Sequence, residues 1–247
     1  MFSFLRKNKS ETRFGESLKV DMHSHLIPGI DDGAPDMETS IQLIRNIQSL
    51  GYQKIITTPH TMFGLYSNTS EIIRSGLKNL QAELLKQKIQ IPVEAASEYL
   101  LDFHFEKLIK NDDILYFGEK KYVLVEMSFV APSMNYESMI FELVTKGYTP
   151  ILAHPERYSY WHRSPEHFDY FTDAGCQLQV NLLSIAGYYG RDVKKSALAL
   201  FEKRKVDFLG TDLHNKRHFA ALDELQRSGK EILEIMTKYP FKNESLL

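Results

Sequence analysis

Residues that can bind a metal ion recur along this chain, close behind short apolar runs with strand-like composition. His23-Ser24-His25 opens the series, and Asp212-Leu213-His214 closes it. The residues of this type between the two ends are Asp32, His60, Glu98, Glu126 and His154. Because these imidazoles and carboxylates repeatedly follow strand ends, we expect distant segments to meet in one polynuclear metal centre.

The two ends of the series use the same spacing. Side chains at positions i and i+2 of a strand point to the same face, so His23 and His25 can both contact one ion. Asp212 and His214 repeat this arrangement. For an isolated His-x-His the alternative is one buried and one surface histidine, and the second pair argues against it.

Two glutamates directly follow apolar segments, Glu98 in ASEY and Glu126 in YVLVE. A carboxylate is costly to bury unless it is paired or bound to a metal, so both are candidate ligands. The alternative for Glu126 is a salt bridge at the mouth of the fold. Asp32 stands in Asp31-Asp32-Gly33, which by itself is typical of an ordinary turn.

The full set contains five imidazoles and four carboxylates. Three divalent ions with four carboxylates would carry a net charge of about +2, which attracts a phosphate dianion. Bridging ions also lower the pKa of a shared water toward neutrality. Nitrogen and oxygen ligands without thiolate suit manganese, iron or zinc. The predicted reaction is hydrolysis of a phosphoester, in which a metal-bound hydroxide attacks phosphorus.

Two arginines are candidate phosphate ligands. Arg157 lies in AHPER, and its guanidinium matches a phosphate in bidentate fashion. Its alternative is an ion pair with Glu156 or another nearby acid. Arg217 is a second candidate, with the neighbouring Lys216 competing for the same role.

Aromatic residues crowd two of the segments behind these candidates, and the other histidines stand apart from them. The aromatic residues are Phe63, Tyr66, Tyr158, Tyr160 and Trp161. They can stack on an aromatic substrate or pack within their loops, and the sequence leaves both possibilities open. The histidines predicted to be structural or solvated are His104, His162, His167 and His218.

Strand-like and helix-like segments alternate along the chain. The strands are predicted at 18–22, 54–58, 91–95, 122–125, 150–153, 176–182 and 206–209. The helices are predicted at 36–50, 70–88, 137–146, 165–174, 192–205, 218–227 and 230–238. Six of the seven strands lead to a candidate ligand, while the sixth offers only Gln179 and Asn181.

This alternation predicts an α/β fold with a parallel sheet. A barrel collects functional groups around the carboxyl ends of its strands, as the candidate ligands require. The alternative, a doubly wound open sheet, would place its site in a single crevice.

Composition limits the class of protein. The 247 residues are 43% hydrophobic and 25% charged, with a net charge of −2, which argues against extended nucleic-acid binding. A single cysteine, Cys176, permits no internal disulfide and fits a reducing compartment. No apolar run approaches the roughly 20 residues that span a bilayer, so we expect a cytoplasmic protein without an integral membrane segment. Leu182, not arginine, stands six positions after Cys176, which excludes a Cys-x5-Arg phosphatase loop. With no repeat or linker, one domain is expected at 18–247, after a flexible leader at 1–17.

The motifs resemble those of the polymerase and histidinol phosphatase (PHP) superfamily. Within it, the chain is similar to bacterial manganese-dependent protein-tyrosine phosphatases of capsule and exopolysaccharide synthesis. The motifs that carry the resemblance are DMHSHLIPGIDDG, IITTPH, ASEY, LVEMS, AHPERY and GTDLHN. It implies a distorted (β/α)7 TIM-like barrel, the PHP fold, with three divalent ions that are usually manganese.

The resemblance also implies roles for particular residues. One ion would be held by His23, His25, Glu98 and Asp212, a second by Glu98, Glu126 and His154, and a third by Asp32, His60 and His214. Arg157 and Arg217 would bind phosphate, and the substrate would be phosphotyrosine on the tail of a bacterial tyrosine kinase. The chain departs from the pattern in TPHT, where many relatives have TPHH, and in a shorter stretch after His214.

Two other functions fit the same ligands. A PHP phosphomonoesterase could act on a small molecule such as histidinol phosphate, because ligands fix the reaction while the mouth of the site fixes the substrate. A metal-binding scaffold without catalysis could instead only dock a kinase tail.

Overall fold

A ring of parallel strands forms the centre of the computed structural model, which describes residues 13–164, 166–228 and 230–247. The strands in these residues are β1 (Val20–Asp21), β2 (Lys54–Thr57), β3 (His60–Thr61), β4 (Val93–Ala95), β5 (Glu98–Leu100), β6 (Tyr122–Glu126), β7 (Thr149–Ala153), β8 (Gln177–Asn181) and β9 (Phe208–Gly210). They form a sheet of order β1-β2-β4 and a sheet of order β3-β5-β6-β7-β8-β9, with every ladder parallel.

Two of the seven predicted strands are each interrupted and continue as a second short strand. Pro59, which lacks an N–H group, separates β2 from β3, and Ala96-Ser97 separates β4 from β5. The continuations pair with each other, with His60 opposite Glu98 in register. The prediction of seven strands is therefore correct in outline, but it missed β3 and β5, which carry two of the candidate ligands.

The chain that follows β9 closes the ring against β1. The backbone N–H of Thr211 donates to Oδ1 of Asp21 at 3.0 Å, and its hydroxyl donates to Oδ2 at 2.7 Å. The N–H of Asp212 donates to the carbonyl of His23 at 2.8 Å. The fold is thus a seven-position parallel α/β barrel, as predicted, and the open doubly wound sheet is wrong.

Amphipathic helices cover the outside of the barrel. In the described residues they are α1 (Phe14–Leu18), α2 (Met37–Ser49), α3 (Ser70–Lys86), α4 (Phe103–Asn111), α5 (Tyr136–Thr145), α6 (His167–Asp173), α7 (Leu182–Ala186), α8 (Arg191–Glu202), α9 (Lys216–Ser228) and α10 (Lys230–Lys238). The side chains of Asp36 and Thr69 cap α2 and α3 by accepting from backbone N–H groups. The predicted helices recur with shifted ends; Pro165, where one was expected to begin, lies outside the described residues.

The N-terminal segment differs from the expected leader at 1–17. Residues 1–12 lie outside the described part of the chain. From Phe14 onward the expectation of a flexible leader is wrong, because α1 buries Phe14 and Leu18 completely or nearly so. The N–H of Phe14 also donates to the side chain of Gln226 at 3.1 Å. Among the described residues, no helix has the length and apolarity to cross a membrane.

Candidate metal centre

All nine predicted ligands lie together at the carboxyl end of the barrel. Side-chain nitrogen and oxygen atoms within 4.8 Å of one another form four overlapping groups: His25, Asp32, His60 and His214; His23, His154 and Asp212; His23, His25 and Glu98; and His60, Glu98 and Glu126. Most of these side chains are buried, although Asp32 is partly open to solvent. The strand ends therefore bring distant segments to one place.

Four of these residues aim one atom each at a common point. His23 Nε2 lies 3.2 Å from Glu98 Oε2 and 3.3 Å from Asp212 Oδ1. His25 Nε2 lies 3.5 and 3.4 Å from the same two oxygens, and 3.3 Å from His23 Nε2. Ligands about 2.0–2.1 Å from a tetrahedral ion are separated from one another by about 3.3–3.4 Å. Each of these five distances therefore suits two ligands of one divalent cation.

The outer nitrogens of the two histidines already have acceptors. His23 Nδ1 lies 2.8 Å from Gln179 Oε1, and His25 Nδ1 lies 2.8 Å from Asp31 Oδ2. With protons on both Nδ1 atoms, each Nε2 presents a lone pair toward the other and toward two carboxylate oxygens. A cation between them satisfies all four atoms, so the side chains present fit a metal ion.

Glu98 extends this first group into a second one. Its other oxygen, Oε1, lies 2.9 Å from His154 Nε2, which is 3.9 Å from Glu126 Oε2. Glu126 Oε1 lies 2.9 Å from His60 Nδ1, and Glu98 Oε2 lies 3.1 Å from the same nitrogen. Two carboxylate oxygens this close to one buried imidazole nitrogen also fit a ligand set that needs a cation.

The third group lies nearest to solvent. Asp32 Oδ1 is 3.5 Å from His60 Nε2 and 3.4 Å from His214 Nε2. His214 Nδ1 donates to the backbone carbonyl of Asp212 at 2.9 Å, which leaves its Nε2 free to bind a metal. The imidazoles of His25 and His214 stack at 3.8 Å between ring centroids and so join the first and third groups.

Mutual electrostatics hold this cluster together. Burial lowers the pKa of His23, but the facing carboxylates of Glu98 and Asp212 outweigh burial and raise it to about 9. Burial raises the pKa values of Glu98 and Asp212, but the surrounding histidines outweigh it and hold both well below their usual range. The centre is thus a site in which anionic carboxylates are stabilised by positive charge.

Two candidate ligands also have unusual backbone conformations. His154 has φ 34° and Asp212 has φ 50°, in the left-handed region that non-glycine residues seldom adopt. Each such residue costs on the order of 1–3 kcal/mol and persists where the surrounding structure enforces it. His154 directly follows β7 and Asp212 comes two residues after β9, so both conformations occur where the chain leaves a strand at the centre.

The sixth predicted strand supplies no ligand, but it orients two of them. From β8, Gln179 Nε2 donates to Asn181 Oδ1 at 2.8 Å, and Asn181 Nδ2 donates to Asp212 Oδ2 at 2.7 Å. Together with the contact between His23 and Gln179, this forms a buried chain of side chains from His23 to Asp212. Amides fit this position because each one accepts and donates at the same time.

Sequence reasoning missed two further carboxylates that support the centre. Asp31 Oδ2 accepts from His25 and from the N–H of His60 at 3.1 Å, and contact with His25 outweighs burial to lower the pKa of Asp31 to about 2. Buried Glu156 accepts from the N–H of Asn181 at 2.9 Å and from the hydroxyl of Ser184 at 2.6 Å. For Asp31 the sequence did contain a signal, because it stands next to the candidate ligand Asp32. For Glu156 it contained none.

A cleft of about 560 Å³ opens over the centre, and Arg157 lies in its wall. The guanidinium donates to Asp212 Oδ2 at 3.1 Å. It lies over the rings of Phe129 and Tyr189, 4.5 and 4.4 Å from their centroids. The predicted alternative, an ion pair with Glu156 or another nearby acid, forms with Asp212 and not with Glu156, whose carboxyl group accepts from Asn181 and Ser184.

Arg217 and Lys216 do not join Arg157. Both are exposed at the start of α9, and neither is among the residues that line the cleft. His218, which was expected to be solvated, lines the cleft instead and is partly buried; its Nδ1 lies 3.2 Å from the carbonyl of Asp212. His218 stands four positions after His214, about one helical turn, so the sequence did contain a spacing that places it near the cleft.

The aromatic residues divide between the two possibilities left open by the sequence. Tyr66 lines the cleft and stacks on His60 at 5.5 Å. Tyr158 is buried, accepting from the N–H of Met127 and donating to the carbonyl of Ala153. Tyr160 and Trp161 pack against each other at 5.0 Å. Phe63 is exposed, with its ring 4.5 Å from that of Phe103.

Relatives of known description match most of the chain. YwqE of Bacillus subtilis, a tyrosine-protein phosphatase, is 31% identical over 214 residues, which cover 86% of this chain and 84% of the relative. CapC of Staphylococcus aureus, a putative tyrosine-protein phosphatase, is 27% identical over 79% of this chain and 77% of its own length.

Solved structures agree with these sequence matches. One structure comes from work on YwqE of Bacillus subtilis and CpsB of Streptococcus pneumoniae, which are described as unique metal-dependent tyrosine phosphatases. It matches this chain with a TM-score of 0.78 at 29% identity, covering 92% of this chain and 94% of that one. The histidinol phosphate phosphatase of Lactococcus lactis shares the fold, with a TM-score of 0.55 at 15% identity over 90% of this chain and 93% of its own. The model of the family described as "Capsular polysaccharide synthesis, CpsB/CapC" matches residues 19–231. This chain belongs to the CpsB/CapC family of capsular polysaccharide synthesis.

Proposed function

We propose that this protein is a metal-dependent tyrosine-protein phosphatase, which hydrolyses phosphotyrosine. The observation that carries the proposal is the four-atom group of His23, His25, Glu98 and Asp212, whose spacing fits one divalent ion, beside the guanidinium of Arg157. A cationic centre next to an arginine is suited to a phosphate dianion. The relatives named as tyrosine-protein phosphatases support the same activity.

We assign all nine predicted residues as ligands of three divalent ions, manganese first and iron or zinc as alternatives. Glu98 would be shared, with Oε2 toward His23 and His25 and Oε1 toward His154. Asp32, His60 and His214 would hold the ion nearest the cleft. When bound, the ions would supply Lewis acidity and activate water for attack on phosphorus.

The chain's own groups would bind and orient the substrate. Arg157 keeps one N–H donor on Asp212 and has further donors available for phosphate oxygens. The guanidinium lies over the rings of Phe129 and Tyr189, and these cation–π contacts hold it in place. Tyr66 and Phe129 line the cleft and offer aromatic surfaces to the phenyl ring of phosphotyrosine. Arg217 would contact phosphate only if α9 moved toward the cleft.

The proposed partner is a protein that carries phosphotyrosine, and we propose a bacterial tyrosine kinase that regulates capsule or exopolysaccharide synthesis. The family match to capsular polysaccharide synthesis and the phosphatases among the relatives support this choice. The cytoplasmic location inferred from the sequence stays a prediction.

The lining of the cleft favours this substrate over histidinol phosphate. An amino alcohol phosphate carries an ammonium group, which needs an acidic partner away from the metal ions. Among the described residues that line the cleft, the acids are Asp32, Glu126 and Asp212, and each of them also belongs to the metal-ligand groups. The rest of the lining is largely aromatic, aliphatic or imidazole.

One set of assays separates the candidate functions. We expect p-nitrophenyl phosphate and a phosphotyrosine peptide to be hydrolysed, with activity lost in EDTA and restored by Mn²⁺. The rate on histidinol phosphate should be far lower. Turnover that survives complete metal removal would refute the proposal, and preference for histidinol phosphate would favour the small-molecule enzyme. No turnover by protein shown to carry its metal ions would favour the docking scaffold.

A further inference from the structure

Two uncharged segments contribute to the lining of the cleft. The segment TMFGLYSNT (61–69) runs from the end of β3, and the segment MSFVAPSMNY (127–136) runs from the end of β6 to the start of α5. Neither contains a charged residue, although charged residues make up 25% of the chain. We call these segments the first and second lip.

The lips expose large apolar side chains next to the centre. Phe63 and Leu65 of the first lip are 59% and 67% exposed, and Phe129 and Val130 of the second are 45% and 89% exposed. Leu65, Phe129 and Val130 also line the cleft, so the apolar surface continues down to the metal ligands. Single exposed apolar residues are ordinary, but a continuous group around a cleft marks an interaction site.

Hydrogen bonds hold the lips in a defined shape. Met62 and Tyr66 exchange backbone hydrogen bonds at 2.9 and 3.1 Å, and Gly64 with φ 76° makes the turn between them. The N–H of Phe63 donates to Asp102, the residue that also caps α4. In the second lip, the carbonyl of Ser128 accepts from the hydroxyl of Tyr160 at 3.0 Å. A surface that is ordered in advance binds a partner at a lower entropic cost.

We propose that the lips bind the peptide chain on either side of the phosphotyrosine and select apolar residues next to it. This inference rests on the proposed phosphatase activity and adds a substrate class to it. With phosphate and ring in the cleft, the neighbouring residues of the substrate would contact Leu65 and Val130, which are exposed and also line the cleft. Uncharged apolar surfaces disfavour charged neighbours of either sign, because their charges would lose water without gaining a partner.

The first experiment compares three phosphotyrosine peptides on the Mn²⁺-loaded wild-type protein. They differ only in the residues flanking the phosphotyrosine, which are leucine, lysine or glutamate. We expect kcat/KM for the leucine peptide to exceed that of both charged peptides by about tenfold. Equal values for all three, or a preference for one charge only, would overturn the inference while leaving the phosphatase activity intact.

The second experiment tests the lips directly with Leu65→Asp and Val130→Asp. Leu85→Asp is the matched control, because Leu85 on α3 is 80% exposed and absent from the cleft lining. The readout is kcat/KM for the leucine peptide divided by kcat/KM for p-nitrophenyl phosphate, which is too small to span the lips. We expect each lip variant to lower this ratio about tenfold and Leu85→Asp to leave it unchanged.

Sedimentation of the same proteins tests the competing occupant, a second copy of this chain. If the lip variants keep the wild-type ratio of the two kcat/KM values, the inference is overturned. If the mass of these variants in sedimentation also differs from that of the wild type, the lips are a subunit interface. Failure of the wild type on every phosphotyrosine substrate would instead refute the proposed function, so the two failures are distinguishable.

Discussion

The side-chain amide of Asn181 donates to Oδ2 of Asp212 at 2.7 Å, while Oδ1 of the same carboxylate faces His23 at 3.3 Å. Arg157 donates to Oδ2 as well, at 3.1 Å. The carboxylate therefore has two roles, with one oxygen facing the proposed ion and the other accepting from Asn181 of β8 and from Arg157. Asp212 thus connects the proposed metal centre to the proposed phosphate site.

Replacing Asp212 should abolish activity. Asp212→Ala removes one of four proposed ligands and leaves Arg157 without its carboxylate partner, so we expect a loss of at least about a thousandfold in kcat on p-nitrophenyl phosphate. His104→Ala is the control, because His104 lies on α4 and is not in any of the groups of possible ligands. Full turnover by Asp212→Ala would remove this residue from the site.

Asn181→Ala should weaken metal binding without removing a ligand. Partners that orient a ligand typically contribute about 10–100-fold to metal affinity or activity. We therefore expect Asn181→Ala to raise the Mn²⁺ concentration needed for half-maximal activity by about this factor. Asn79→Ala, at an exposed position on α3, should leave that concentration unchanged. Identical metal dependence in both variants would show that the β8 amides do not position Asp212.

Arg157 and Arg217 should behave differently when each is replaced by alanine. Arg157→Ala removes a guanidinium that lies in the cleft, and we expect KM for phosphotyrosine peptide to rise about tenfold or more. Arg217→Ala removes an exposed side chain outside the cleft lining, and we expect KM to change less than about twofold. Steady-state kinetics on both variants test this difference. The reverse order of effects would mean that α9 closes over the substrate.

The convergence of the candidate ligands could be predicted from the sequence because strand ends in a parallel barrel meet at one end. A residue such as His154 can be assigned from its own segment, since the apolar strand before it and the chemistry of its side chain are both local. Gln179, Asn181 and Glu156 could not be assigned this way, because their roles depend on hydrogen bonds across the barrel. His23 and Gln179, for example, are 156 positions apart.

The interruptions that separate β3 from β2 and β5 from β4 could not be predicted from the sequence, for a different physical reason. β3 and β5 have two and three residues, too few for an alternating pattern, and are defined by pairing with each other. Helix α7 begins immediately after β8, without a turn residue that would mark its start. Pairing and direct connection of this kind become visible only in three dimensions.

Asp31 should prove as important to the centre as a ligand. Asp31→Ala removes Oδ2, which accepts from His25 Nδ1 and from the backbone N–H of His60, so the His25 imidazole and the His60 backbone both lose this partner. We expect metal affinity to fall about 10–100-fold, measured by calorimetric titration of Mn²⁺ into metal-free protein. Asp173→Ala on α6 provides a control carboxylate outside the possible metal-binding groups. Unchanged affinity in Asp31→Ala would show that His25 is held by its packing alone.

Thr211→Val should destabilise the barrel where its ring closes. The hydroxyl of Thr211 donates to buried Asp21 Oδ2 at 2.7 Å, and valine has nearly the same shape without this donor. Leaving a buried acceptor unpaired costs about 1–3 kcal/mol, so we expect the free energy of unfolding to fall by that amount. Urea unfolding in EDTA measures it without a contribution from metal binding. Thr237→Val, at an exposed position on α10, should change the free energy of unfolding by less than about 0.5 kcal/mol. Equal stability of the two variants would mean that the backbone N–H bonds from Thr211 to Asp21 and from Asp212 to His23 keep the ring closed without the Thr211 hydroxyl.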